Sequence, residues 1–277
     1  MSLLSYLGKE KKNDVDKIKK KSTITITFGD QAENHKGMQI IGKKAERGFN
    51  KSEMEECKLR FEKEGYECVL INLFTLLPTE YHEKTKEAYL LIIRNGATCM
   101  LKEVGGDADK LMEEQLKLNY DSKAFMYGRV VNKHARHNLC FGDEEQEPSY
   151  EEGKGRIVAY SSVPLLNHLK EKMGSYITGG EDLYGEGNYY YDVTKCGIGY
   201  HGDFERFKVF AVRMGASLPI HYHWFLNSQP IGERGIYMLN HGDAYIMSEK
   251  TTGQDWKKKT IPTLRHATGC DKFTKIE

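Results

Sequence analysis

The run Cys196-Gly197-Ile198-Gly199-Tyr200-His201-Gly202-Asp203 constrains this chain more than any other segment, because its chemistry depends on an extended backbone. Residues two apart on a strand project to the same face, so His201 and Asp203 reach toward one point while Gly202 leaves room beside them. An imidazole and a carboxylate are two of the three ligands of the facial triad that holds non-haem Fe(II) with open positions. The reading requires a third donor from elsewhere in the chain.

The flanks add context. Asn188-x-Tyr190 lies upstream; the strand-like run from Phe207 to Gly215 follows, and then Leu239-Asn240-His241-Gly242-Asp243-Ala244-Tyr245-Ile246-Met247. In order and content these segments resemble the AlkB family of Fe(II)- and 2-oxoglutarate-dependent dioxygenases over roughly residues 120 to 277. The resemblance implies an α+β, mainly β fold: a double-stranded β-helix, or jelly roll, with His201 and Asp203 at its mouth and a second histidine arriving from a later strand. It also implies Fe(II) as cofactor, 2-oxoglutarate and O2 as co-substrates, and Asn188 and Tyr190 as the residues that hold 2-oxoglutarate. The distance from Asn188 to His201 is longer than the family pattern, which a looser turn at Val193-Thr194-Lys195 absorbs.

Two registers compete for the third ligand. In one, His266 of Thr263-Leu264-Arg265-His266-Ala267-Thr268-Gly269 completes the set, and Lys272 or Lys275 binds the distal carboxylate of 2-oxoglutarate. In the other, counting from Gly242-Asp243 puts Lys257 at the ligand position and makes Thr263-Leu264-Arg265 the final arginine strand. Lysine is protonated at neutral pH whereas neutral imidazole is ready to bind, which favours His266. Arg265 and His266 are adjacent and cannot share a face, so Lys272 ranks above Arg265 as the carboxylate anchor. A lysine in the ligand slot would make the chain a non-catalytic relative.

Other candidates carry weaker signals. Gly215 followed by His221-x-His223 resembles the opening of a cupin motif, but Asn227 and Ser228 stand where its glutamate belongs. These histidines therefore read as part of a strand lining the barrel. Arg129, Lys133 and Arg136 form a basic cluster ahead of the acidic loop from Gly142 to Glu152, able to hold a phosphate or to pair with Asp143, Glu144 and Glu145. Tyr200, Trp224, Tyr222 and Tyr245 offer rings on which a base can stack. The string from Phe28 to Met38 is dense in polar groups; turn chemistry explains most of it, with Glu33 and His35 as possible contacts to a substrate or partner.

The 41 basic and 40 acidic residues nearly cancel, so no global field draws the protein to nucleic acid or membrane, and any polyanion contact must be local. Six scattered cysteines without a C-x-x-C pair read as free thiols of a reducing compartment. No apolar run is long enough to span a membrane, so the expectation is a soluble, intracellular protein, cytoplasmic or nuclear.

The chain divides on paper into a flexible basic arm (1–21), a small α/β module (22–116) and a dioxygenase domain (117–277). Within the module, Ser22 to Phe28 reads as a strand, and Ser52 with Glu55 opens a capping box for a helix to Glu64. Cys68 to Phe74 and Ala88 to Arg94 read as buried strands, and Asn95-Gly96 as a hairpin turn with Thr98 to Leu101 as its return arm. A helix is expected from Asp107 to Leu118. The implied activity is hydroxylation, or demethylation of an N-methyl group, on a modified base of DNA or RNA. Alternatives are a protein side-chain hydroxylase and an inactive binding module.

Overall fold

The structure, a computed structural model, describes residues 16–276. Strand β1 (Thr23–Gly29) alternates threonine with isoleucine or phenylalanine, and that period of two decides its faces. Ile24, Ile26 and Phe28 are fully buried beneath helices, whereas Thr25 and Thr27 line an internal cavity.

Two short hairpins decorate the fold, β2 (Gln31–Glu33) with β3 (Ile40–Gly42) and, later, β6 (Lys123–Met126) with β7 (Arg129–Asn132). Between them run β4 (Cys68–Asn72) and β5 (Tyr89–Ile93). The rest are β8 (His137–Gly142), β9 (Ile157–Ala159), β10 (Tyr184–Tyr190), β11 (Gly197–His201), β12 (Val209–Gly215), β13 (Leu218–Leu226), β14 (Gln229–Leu239), β15 (Ala244–Met247) and β16 (Thr263–Gly269).

They build a mixed, mainly β architecture. An eight-stranded sheet has the order β4-β5-β15-β12-β1-β10-β8-β9, antiparallel except for the parallel β8–β9 edge, and a four-stranded sheet has the order β11-β16-β13-β14. One face of the large sheet is covered by the helices Lys51–Lys63, Ala108–Gln115 and Pro164–Tyr176, which bury Phe61, Leu111 and Leu169 against Ile24, Val212 and Phe210. The other face meets the small sheet over Ala211, Tyr245 and Met247 on one side and Ile220, Tyr222, Trp224 and Leu264 on the other. Each such large apolar side chain contributes about 1.5–3 kcal/mol by leaving water.

The paper division of the chain gives way to this topology. Strand β1 pairs with β10 and β12 on its two edges, and β5 pairs with β15, so residues 22–116 are not a separate module but supply inner strands to the same sheet as the later residues. Of the expected flexible arm, residues 1–15 lie outside the described residues, and 16–21 are helical.

Local expectations are also adjusted. The first long helix is capped by Asn50 and Glu53, two residues ahead of the expected Ser52 and Glu55. Strand β4 is a sheet edge with Val69 41% exposed, and it stops at Asn72, whose side chain caps a following 3-10 turn. Asn95 takes a left-handed conformation and leads into a helix, Gly96–Leu101, in place of a hairpin arm. Ala97 there donates to the Gly242 carbonyl, and Cys99, Met100 and Leu101 all face the core. The helix Ala108–Gln115 is capped by Asp107, within the expected span.

All six cysteines are free thiols. Among the described residues no helix is long and apolar enough to cross a membrane.

Candidate metal centre

His201 ends β11 and sits directly across from His266 in the β11–β16 pairing, so sheet register brings the two imidazoles together from positions far apart in sequence. Asp203 follows as the chain leaves the strand, held by its backbone N–H donating to the Thr252 carbonyl at 2.9 Å. Gly202 is required between them: a Cβ there would lie 2.0 Å from the Gly253 carbonyl oxygen. Ligand atoms of His201, Asp203 and His266 all lie within 4.8 Å of one another.

The fit to a cation can be judged from the donors. Nε2 of His201 and Nε2 of His266 stand 3.6 and 3.5 Å from the same Asp203 oxygen. Both separations are long for hydrogen bonds but suit donors around a common centre. His201 Nδ1 donates to the Gly199 carbonyl at 2.8 Å, which leaves Nε2 as the lone-pair atom facing the cluster. His266 Nδ1 is buried without a partner.

Burial, reinforced by the neighbouring His266, lowers the His201 pKa to about 3, so its imidazole is neutral. Burial alone would raise the Asp203 pKa, but the Arg206 guanidinium and the two imidazoles outweigh it and hold the carboxyl well below its ordinary range. The donor set is thus the neutral imidazole of His201, the imidazole of His266 and one carboxylate, a combination that fits a divalent transition metal.

These groups open onto a cavity of about 610 Å³. Its wall carries Arg213, 1% exposed, whose Nη1 donates to the Leu218 carbonyl and the Thr268 hydroxyl, with the Tyr245 phenol beside it. Among the described residues Arg213 has no carboxylate partner. Arg206, in contrast, is buried in ion pairs with Glu186 and Glu205. A buried guanidinium without a counter-ion creates a demand for an anionic ligand.

Each expected site residue can now be located. Asn188 and Tyr190 line the cavity, but the Asn188 carbonyl oxygen already accepts from Arg136 and Asn138, and its amide donates to Glu186. The turn at residues 192–195 is closed by Asp192, which accepts from the backbone N–H and hydroxyl of Thr194.

Lys257 lines the cavity with its ammonium 4.1 Å from the Phe204 ring centre, while His266 occupies the cluster. Neither proposed carboxylate anchor reaches the cavity. Arg265 points to the opposite face from His266, against Phe225 and Trp256, as strand alternation demands, and Lys272 lies exposed on the short helix Asp271–Thr274. The guanidiniums that this fold does place in the cavity wall are those of Arg136, Arg206 and Arg213.

The substrate candidates divide similarly. Arg136 lines the cavity; Arg129 is exposed on a hairpin, and Lys133 is buried with its ammonium on Asn34. Trp224 is fully buried with its N–H on the Leu73 carbonyl, and Tyr200 packs near His223 and Phe225 on the outer face of the small sheet. His221 and His223 share that outer face, because Ile220, Tyr222 and Trp224 take the inner one.

The polar string after β1 turns out to be a cavity wall, contributing Gln31, Glu33, His35 and Lys36. Burial, with the nearby carboxylates of Glu205 and Glu186, raises the Glu33 pKa to about 7. The sequence signal for Arg213 is its place as the charged residue in Val209-Phe210-Ala211-Val212-Arg213, on the same strand face as Val209 and Ala211.

No family profile matches the sequence. Over 255 residues, 92% of this chain and 98% of the relative, it is 49% identical to "Uncharacterized protein R156" of Acanthamoeba polyphaga mimivirus. At that identity over nearly the full length of both chains, the protein belongs to the same family as the mimivirus protein R156.

Proposed function

We propose that this protein is an Fe(II)- and 2-oxoglutarate-dependent dioxygenase of AlkB-like type, built on a double-stranded β-helix and acting on a modified nucleic-acid base. The observation that carries the reading is the convergence of His201, Asp203 and His266 on a cavity whose wall also holds the Arg213 guanidinium, which has no carboxylate partner among the described residues. The fold reading is supported by the way the chain alternates between sheets, with β10, β12 and β15 in the large one and β11, β13, β14 and β16 in the small one. In this reading β1 takes the inner position that completes the barrel.

His201, Asp203 and His266 would hold the metal, and a ferrous ion there would couple decarboxylation of 2-oxoglutarate by O2 to hydroxylation of a substrate C–H bond. The chain's own residues supply orientation and charge. The Gly199 carbonyl fixes the His201 tautomer, Arg206 keeps Asp203 ionised, and Arg213 with Tyr245 and Tyr190 receives the distal carboxylate of 2-oxoglutarate. Arg136, on the same wall and steadied by Asn188, faces the remaining space where a substrate enters.

The test is succinate formation from 2-oxoglutarate when the Fe(II)-loaded protein is exposed to O2. Uncoupled succinate is expected from wild type and none from Asp203→Ala. Metal binding without succinate would mark an inactive binding module and refute the enzyme reading.

A further inference from the structure

The outer face of the small sheet, turned away from the cavity, holds two arginines that no carboxylate neutralises. Arg265 on β16 lies with its guanidinium carbon 4.2 Å from the Phe225 ring centre and 5.2 Å from that of Trp256, and its one hydrogen bond is a long one of 3.4 Å to the Trp256 carbonyl. Arg234 on β14 reaches the Thr274 carbonyl through a hydrogen bond that is also 3.4 Å long, with its charge beside Tyr200. Among the described residues neither forms an ion pair.

Both flank His223, Arg265 as its cross-strand partner and Arg234 through its charge. Beneath them His221 and His223 are each only 7% exposed, and their Nδ1 atoms, like the Tyr200 hydroxyl, have no hydrogen-bond partner. Burial and the Arg234 charge keep both imidazoles below their ordinary pKa; Asp271 is the carboxylate facing His221 from the neighbouring helix. The face is therefore rich in donors and cations and short of acceptors.

We infer that this face is a docking surface for the phosphodiester backbone of a single-stranded nucleic acid, with Arg234 and Arg265 as the phosphate contacts. A guanidinium stacked between rings is held in a fixed plane and presents a pre-oriented fork, the geometry that suits phosphate oxygens. Strands β14 and β16 are separated by β13, so their backbones stand about 10 Å apart. Two cations carried on separate strands suit a polyanion better than a single free anion. Trp256, against which Arg265 lies, also lines the cavity, so a strand held on this face lies beside a residue of the cavity wall. The inference extends the nucleic-acid reading given above, but the binding it describes requires no metal.

The probe is fluorescein-labelled (dT)10, titrated by anisotropy onto the metal-free full chain over a series of salt concentrations. Two phosphate contacts on a single strand give a slope of log affinity against log salt of about −1.4, or steeper if further cations join. Arg234→Gln and Arg265→Gln are each expected to make the slope shallower by about 0.7 and to weaken binding about tenfold at low salt. Metal affinity should stay at the wild-type level in both variants, which separates failure here from failure of the metal reading. Binding that is undetectable or independent of salt, or variants that retain the wild-type slope, would overturn the inference. So would displacement of (dT)10 by hexaglutamate as readily as by unlabelled (dT)10, since the face would then be reading carboxylates.

Discussion

His266→Ala is expected to lose ferrous-ion affinity by more than the roughly 10–100-fold that follows removal of an outer-shell partner alone, while Lys257→Ala binds like wild type. The asymmetry follows from register. His266 lies opposite His201 across the β11–β16 pair, whereas the Lys257 ammonium rests on the Phe204 ring. Removing the imidazole should leave the fold intact, because His266 Nδ1 has no hydrogen-bond partner to lose. Anaerobic titration with Fe(II), or with Mn(II) as a redox-stable substitute, measures the change. Wild-type affinity in His266→Ala, or loss of binding in Lys257→Ala, would reverse the assignment of the third ligand.

Arg213→Met should separate binding from stability. Removing one partner of a buried ion pair typically costs 3–5 kcal/mol because the other charge is stranded, but Arg213 has no carboxylate to strand. Its replacement by an apolar side chain of similar length is expected to change the unfolding free energy of the ligand-free protein by no more than about 1 kcal/mol. The affinity of the Mn(II)-loaded protein for 2-oxoglutarate should fall about a hundredfold, equivalent to about 2.7 kcal/mol. Denaturant melts and calorimetric titration read the two quantities separately. A stability loss near that of a broken ion pair, with 2-oxoglutarate affinity unchanged, would show that Arg213 is a structural group.

What could be read in advance follows the range of the forces involved. The threonine and isoleucine alternation of β1 announces a strand and its two faces, because side-chain period is a local property. Its neighbours are another matter. Thr25 pairs with Asn188 on one edge and Arg213 on the other, and nothing near Thr25 in sequence specifies partners that distant. A strand read as part of a separate module is therefore an inner strand of the large sheet, and the polar string after it becomes cavity wall.

Side-chain alternation bears on two arginines of this fold. It requires Arg265 and His266 to face opposite ways, and they do, and the same rule applied to Val209, Ala211 and Arg213 points to a guanidinium facing inward. Capping signals near Asn50 overlap, since Asn50 with Glu53 and Ser52 with Glu55 have the same spacing. The position that buries Met54, Cys57 and Phe61 is the one adopted. The Asn95-Gly96 pair carries a strong hairpin signal, but the residues that follow bury Cys99, Met100 and Leu101 together, which a helical turn accomplishes and an alternating strand does not.

The central claim concerns coordination, and X-ray absorption at the iron edge of the ferrous-loaded protein tests it most directly. The account predicts scattering from two imidazole ligands with the remaining positions filled by oxygen, reduced to one imidazole in His266→Ala. A first shell without imidazole scattering, or a spectrum that His266→Ala leaves unchanged, would contradict it.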